Sequence, residues 1–389
     1  MNRVYFDHNA TSTLRPAARA AVLAALGGAN PSSVHAEGRA ARALVEDARG
    51  KVADLVGANP RAVSFTSGAT ESIALALSPE IEVAGRSHRC DVLLMSGVEH
   101  PAVRAGGRFA PDRIELIPVD ADGVVDLDAL EAMLAGHQRA GRRALVSVMA
   151  ANNETGVLEP VAKIAGLVRS ADGFFHTDAV QIAGRLPFRL EASGADLISI
   201  SAHKLGGPQG AGALIARHED VGVPAMLRGG GQERGRRGGT ENVPGIAGFG
   251  AAAAEAATAL PAEPARQAAL RDRLEAGVRR VAPSAVFVSA GAERLPNTSC
   301  FAVPGIAAET AVIAFDLEGA AISAGAACSS GKVGPSAALA AMKLPAEIAR
   351  GAVRVSLGWS TTEDDVMRFL AIWERVYGNL KRRATERAA

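Results

Sequence analysis

From about residue 15 to residue 250 the chain alternates between apolar residues at helical spacing and short runs that are apolar nearly throughout. The segments RPAARAAVLAAL (15–26) and GRAARALVEDARGKVADLVG (38–57) repeat alanine, valine and leucine every three or four positions, which predicts two amphipathic helices. AVSFTS (62–67), DVLLMS (91–96), ALVSVMAA (144–151), GFFHTD (173–178) and DLISIS (196–201) predict short buried strands. Strands separated by helices in this rhythm belong to an α/β domain with a largely parallel sheet. Near residue 258 the texture changes. TALPAEPAR (258–266) predicts a connector, an arginine-rich helix is expected over 268–280, and strand and helix signals follow, so a domain boundary is placed there.

In an open parallel sheet, ligands bind in the crevice beyond the carboxyl ends of the strands. Each predicted strand runs into polar chemistry at that end: TSGATES (66–72), GVEHP (97–101), ANNETG (151–156), Asp178 through Gln181, and His203-Lys204. TSGATES is either a plain helix cap or a cup of N–H groups and hydroxyls for a phosphate. Lys204 is either a snorkelling surface lysine or a desolvated amine whose pKa falls until it can attack an aldehyde. Asp178 either caps the segment that follows or faces a protonated pyridine nitrogen, since a buried carboxylate is costly without a cationic partner. Phosphate cup, amine and aspartate together are the parts that pyridoxal phosphate requires, and His100 can supply a flat face for its ring in a chain with only 4% aromatic residues.

Composition narrows the classes. At 389 residues, 48% hydrophobic and 21% charged, the chain suits about two globular domains. A net charge of +1 gives no general reason to expect nucleic acid or a membrane surface as partner. The basic loop RGGGQERGRRGG (228–239) would be the footprint of a nucleic-acid module, but no base-stacking aromatics accompany it. Three cysteines, Cys90, Cys300 and Cys328, form neither a CxxC pair nor a disulfide framework, which points to a reducing compartment. The opening MNRVYFDHNATS lacks the apolar segment of a secretory signal, and no run of about 20 apolar residues spans a bilayer, so the expected location is the cytoplasm.

The motifs YFDHNATS (5–12), NPSSVH (30–35), TSGATES, EH (99–100), NNETG (152–156), HTDAVQ (176–181), SAHKLGGPQGAGAL (201–214), GGGQERGRRGGTENV (229–243), SAGAACSSG (323–331) and RVSLG (354–358) follow in order along nearly the whole chain. Together they resemble the cysteine desulfurases of the NifS/IscS type, in the class-V aminotransferases. The resemblance implies an α/β protein of pyridoxal-phosphate fold type I, aspartate aminotransferase-like: a large domain (15–257) with a mostly parallel seven-stranded sheet, and a smaller α/β domain (1–14 and 258–389) carrying the cysteine loop. It further implies a homodimer that converts L-cysteine to L-alanine and passes sulfur, through a cysteine persulfide, to an acceptor or iron–sulfur scaffold protein. Lys204 would join the cofactor aldehyde, Asp178 hold the pyridine nitrogen, and His100 stack on the ring and take part in catalysis. Ala69, Thr70, Ser201 and His203 would bind the phosphate, with Thr240 reaching in from the other subunit. Asn153 and Gln181 would contact the phenolic oxygen, and Arg354, with Asn153, would bind the substrate. Cys328 would be the sulfur-accepting nucleophile; its glycine- and serine-rich surroundings predict an exposed loop in which a thiolate is attainable, whereas Cys90 and Cys300 read as structural. Selenocysteine lyase or another pyridoxal-phosphate lyase or aminotransferase is the alternative activity.

Overall fold

Seven apolar runs pair into one sheet: β1 (Val63–Thr66), β2 (Val92–Ser96), β3 (Ile114–Ile117), β4 (Ala144–Ser147), β5 (Phe174–Asp178), β6 (Leu197–Ser201) and β7 (Gly212–Ala216). The computed structural model describes residues 3–325 and 336–388, with side chains to residue 382. The spatial order is β1-β7-β6-β5-β4-β2-β3. Only β7 runs against its neighbours; the remaining pairs are parallel. The apolar-run criterion misses two strands. β3 lies at an edge, with Glu115 and Leu116 exposed, and β7 begins in a glycine-rich stretch.

Both faces of the sheet are covered, which is why its strands read as continuous apolar runs rather than as alternations. Leu94, Val146 and Ile198 face a core shared with α1 (Pro16–Ala25) and α2 (Ala36–Val56), while Leu93, Leu145 and Leu197 face a core shared with α3 (Ala69–Ala76). The alanine-rich stretch near 250 forms α4 (Val243–Ala259), which buries Phe249, Ala252 and Ala256 in the first of these cores. Among the described residues no single helix is long and apolar enough to cross a membrane.

The expected connector at 258–266 is corrected. α4 ends at Ala259 and α5 (Glu263–Val281) begins at Glu263, so only residues 260–262 link two helices bent by 79°. Pro264 is no obstacle, because the first turn of a helix has no use for its missing N–H. α5 leaves the first core and joins a second one, built on an antiparallel sheet of β8 (Val286–Phe287), β9 (Thr298–Ala302), β10 (Ser323–Ala324) and β11 (Val353–Ser356) and on α6 (Glu363–Ala388). Phe315 stacks there on Phe369 at 5.2 Å and on Trp373 at 5.7 Å. The N-terminal Val4–Tyr5 pairs in parallel with Ala320–Ala321, and Val4 and Phe6 are buried in this same core.

Register places the loops that matter. Gly212, at the start of β7, pairs with Thr66 at the end of β1 and with Ser201 at the end of β6. The turns that follow Thr66 and Ser201 therefore emerge side by side. A Cβ on Gly212 would come within 2.5 Å of the Gly68 backbone, so glycine is what allows this approach.

Candidate active site

At the carboxyl ends of the parallel strands lies a cavity of about 660 Å³, a volume suited to a cofactor with a small substrate. β6 ends at Ser201, and the chain then turns through a short 3₁₀ segment, Ala202–Lys204, that directs Lys204 into this space. Its Nζ donates to the backbone carbonyls of Asn9 at 2.6 Å and Ala10 at 2.8 Å. Desolvation, reinforced by Arg185 and Arg354, pushes the Lys204 pKa down to about 7, so near neutrality a large share of the amine is unprotonated.

Asp178 ends β5 and lines the same cavity, 6% exposed. Its Oδ1 accepts from the Val180 N–H at 2.9 Å. Burial pushes its pKa up to about 6, against the pull of that N–H and of Lys204. Among the described residues no ion pair reaches it. A buried carboxylate without a direct counter-ion fits a protonated ring nitrogen. His100 follows β2 and caps a short helix, its Nδ1 accepting from the Ala102 N–H at 3.1 Å. The residue is exposed and borders the cavity, and desolvation together with Lys204 pushes its pKa down to about 4. It is therefore neutral near pH 7, and the bond at Nδ1 requires the proton on Nε2.

The cup after β1 consists of Ser67, Gly68, Ala69 and Thr70, all lining the cavity at the start of α3. Ser201 and His203 line it from the β6 side. His203 Nδ1 bonds Thr11 Oγ1 at 2.8 Å, and desolvation followed by Lys204 pushes its pKa down to about 4. Arg354, from β11, is 1% exposed. Its Nη2 donates to Asp7 Oδ1 at 2.7 Å and its Nη1 to the Asn153 carbonyl at 2.9 Å, whereas Nε has no partner. Asn153 lines the cavity beside it. Gln181 lines it as well, with Nε2 donating to the Asn9 carbonyl at 3.1 Å and Oε1 accepting from Arg185. The residues present thus fit pyridoxal phosphate: a cup for the phosphate, a carboxylate for the nitrogen and a neutral amine for the aldehyde.

Two expected residues stand apart from this assembly. Thr240 is exposed and does not line the cavity of its own chain. Cys328 lies outside the described residues. Cys90 and Cys300 are buried, and desolvation pushes both thiols up to about 12, which withholds the thiolate from each.

Asp7, Asn9 and Arg185 were not singled out from sequence as residues of the site. Asp7 orients Arg354, and Asn9 joins both regions of the molecule. Its Nδ2 donates to Thr298 Oγ1 at 2.9 Å and to the Asn153 carbonyl at 3.2 Å, while its own carbonyl receives Lys204 and Gln181. Arg185 donates to the His8 carbonyl at 3.0 Å and holds Gln181. His8 itself is 1% exposed and bonds Ser12 Oγ at 3.1 Å. Its ring occupies the space beside Gly358, where a Cβ would come within 2.0 Å of Nδ1. The polar run Asp7-His8-Asn9, set between the buried Phe6 and the buried Ser12, is the signal that could have revealed this strap.

Comparison with known proteins agrees with the geometry. The model of the family described as aminotransferase class-V matches residues 4–369. A cysteine desulfurase of Cereibacter sphaeroides is 43% identical over 98% of this chain and 97% of that protein. The cysteine desulfurase IscS of Dictyoglomus turgidum is 37% identical, over 97% of this chain and 95% of that protein. A NifS-like protein from Rickettsia africae ESF-5 superposes with a TM-score of 0.86 at 33% identity, covering 97% of this chain and all (100%) of that one. Use of pyridoxal phosphate is a general property of this family and of the cysteine desulfurases within it. With identity and fold both sustained from end to end, the chain belongs to the aminotransferase class-V family, among its cysteine desulfurases.

Proposed function

We propose that this chain binds pyridoxal phosphate in the cavity and takes the sulfur of L-cysteine onto Cys328, leaving L-alanine. The observation that carries the reading is one cavity lined by Lys204, whose pKa is lowered to about 7, by a buried Asp178 with no ion-pair partner among the described residues, and by Arg354. The relatives favour cysteine over the selenocysteine and aminotransfer alternatives, since those at 43% and 37% identity are both named cysteine desulfurases.

When bound, the cofactor supplies an electron sink for charge released at the substrate Cα. Asp178 holds a proton on the ring nitrogen, which a carboxylate with a pKa near 6 does while ionised at neutral pH. Ser67–Thr70, Ser201 and His203 hold the phosphate, and Asn153 and Gln181 the phenolic oxygen. Arg354 receives the substrate carboxylate; a guanidinium already steered by Asp7 loses little freedom in doing so. Lys204 Nζ, unprotonated above about pH 7, removes the Cα proton, and His100 presents Nε2–H as a donor close by. The Cys328 thiolate attacks the substrate sulfur: an S–S bond forms, the Cβ–S bond breaks, and protons complete alanine and a persulfide. No outside oxidant or reductant enters that balance.

In this reading the cavity lies between a cofactor-binding unit, residues 15–257, and a smaller unit made of 1–14 and 258–389 that contributes Arg354 and the Asp7–Asn9 strap. Thr240, exposed on its own chain, serves the phosphate of a second copy in a homodimer. The persulfide passes to an acceptor protein of the cytoplasm, with no part for membrane or nucleic acid. Three arginines of the basic loop are engaged within the chain: Arg234 and Arg236 donate to the Arg61 carbonyl, and Arg237 pairs with Glu71.

The test is a visible spectrum of the protein with pyridoxal phosphate, followed by borohydride reduction and mapping of the modified lysine, and an alanine assay on Cys328→Ala. The expected result is an adduct on Lys204, with alanine formation from cysteine lost in a variant that keeps its absorbance. A colourless protein, an adduct on another lysine, or full turnover by Cys328→Ala overturns the proposal.

A further inference from the structure

We propose that Arg237 and Glu71 form a charge brace for the phosphate end of the cavity. Glu71 holds the Ser67–Thr70 turn in shape, and Arg237 cancels its charge so that the turn accepts a dianion. The inference rests on the pyridoxal phosphate reading above.

Glu71 stands in the first turn of α3, and its side chain folds back onto the turn that precedes it. Oε2 accepts from the Ser67 backbone N–H at 2.8 Å and from the Ser67 hydroxyl at 2.5 Å, which ties down the first residue of the cup. The arrangement carries a penalty. Glu71 itself lines the cavity, and a full negative charge in the wall repels a phosphate group through a medium of lower dielectric than water.

Arg237 removes that penalty. Its Nε lies 2.9 Å from Glu71 Oε1 and its Nη2 3.4 Å from Oε2, a two-point contact that a lysine would reproduce only as a point charge. The pair is largely shielded, with side-chain exposures of 22% and 17%. Glu71 stays below the usual carboxylate range: burial acts to raise its pKa, and the bonds from Arg237 and Ser67 outweigh it. Arg237 does not line the cavity, so it acts on whatever binds there through Glu71.

The loop that presents Arg237 is held to that purpose. Glu233 and Arg234 adopt φ of 47° and 56°, a region disfavoured for residues with side chains, and such backbone persists only where its surroundings dictate it. They do so here. Glu233 accepts from Arg49 through both of its oxygens, at 2.7 and 2.9 Å, and from the Phe65 N–H at 2.8 Å. Phe65 is on β1, two residues before Ser67. The one loop thus grips the cup from both sides, Phe65 before it and Glu71 after it, across a sequence separation of about 166 to 168 residues.

The experiment measures equilibrium binding of pyridoxal 5′-phosphate to the full chain stripped of cofactor, read by absorbance. Pyridoxal, which has the ring and aldehyde without the phosphate, is titrated in parallel. Arg237→Met should raise the dissociation constant for pyridoxal phosphate about tenfold or more by exposing Glu71 to the phosphate, and leave that for pyridoxal essentially unchanged. Glu71→Gln combined with Arg237→Met should recover most of the loss, because a neutral amide needs no compensation. Arg237→Lys should retain most of the affinity.

Three results overturn the brace: wild-type affinity in Arg237→Met, equal losses for both ligands, or a double variant no tighter than Arg237→Met. A wild-type chain that takes up no pyridoxal phosphate sinks the cofactor reading as well. Wild-type uptake together with an unaffected Arg237→Met sinks the brace alone.

Discussion

Arg49 and Arg354 are equally buried, each 1% exposed, yet they are bonded in opposite ways. Beneath the sheet, every nitrogen of Arg49 is engaged. Nε and Nη2 reach Glu46, Nη1 and Nη2 reach Glu233, Nη1 also reaches the Val63 carbonyl, and the guanidinium lies 4.8 Å from the centre of the Phe65 ring. At the cavity, Arg354 has one carboxylate, one carbonyl and an Nε with no partner. A closed set of bonds makes a structural arginine, because nothing remains to offer a ligand. A guanidinium held by Asp7 in the wall of the cavity makes a binding arginine. Burial alone does not separate the two; position does, since Arg354 lines the cavity and Arg49 does not.

The sharpest way to break the comparison is to truncate both. Arg49→Met leaves Glu233 buried without its partner and should cost about 3–5 kcal/mol in denaturant unfolding, with KM for cysteine unchanged when pyridoxal phosphate is saturating. Arg354→Met should lower kcat/KM for cysteine about a hundredfold, roughly 2.7 kcal/mol, chiefly through KM, while destabilising the fold far less than Arg49→Met. If the two variants lose stability alike and both keep KM, the distinction fails.

A finer probe is Asp7→Asn, which keeps the size of the group that steers Arg354 and removes its charge. It should raise KM about tenfold with a smaller change in kcat, in steady-state assays over a range of cysteine. The smallest effect concerns Lys204. Its pKa is depressed, so the neutral amine dominates above about pH 7 and protonation silences it below. Uptake of pyridoxal phosphate by the cofactor-free chain should accordingly quicken as pH rises through about 7 and level off beyond. Arg354 contributes to that depression, so Arg354→Met should move the midpoint upward, and Arg49→Met should leave it in place. A midpoint identical in all three proteins would refute the electrostatic link between Arg354 and the lysine.

What could be read in advance followed from local rules. Lys204 and His100 follow short apolar strands and Asp178 ends one, and a strand end in a parallel sheet opens on the crevice. Residues that matter through distant partners were harder to find. Asp7 acts on Arg354 across 347 positions, Asn9 on Lys204 across 195, and Arg237 on Glu71 across 166. β7 was hidden for a related reason, since its glycine answers to Gly68 on the neighbouring turn and not to any periodicity of its own. Proline and alanine at 258–266 do not break the chain into a long connector, because Pro264 serves as the start of α5.

The order of amino acids by itself determined the α/β rhythm, the polar residues that end each strand, and the family to which the chain is related. Only the tertiary structure decided which buried arginine is closed off beneath the sheet and which lines the cavity, and which carboxylates meet a counter-charge. The physical reason is that periodicity and capping act within a few residues along the backbone. Desolvation and hydrogen-bond satisfaction depend instead on groups that only folding brings within about 3 Å of one another.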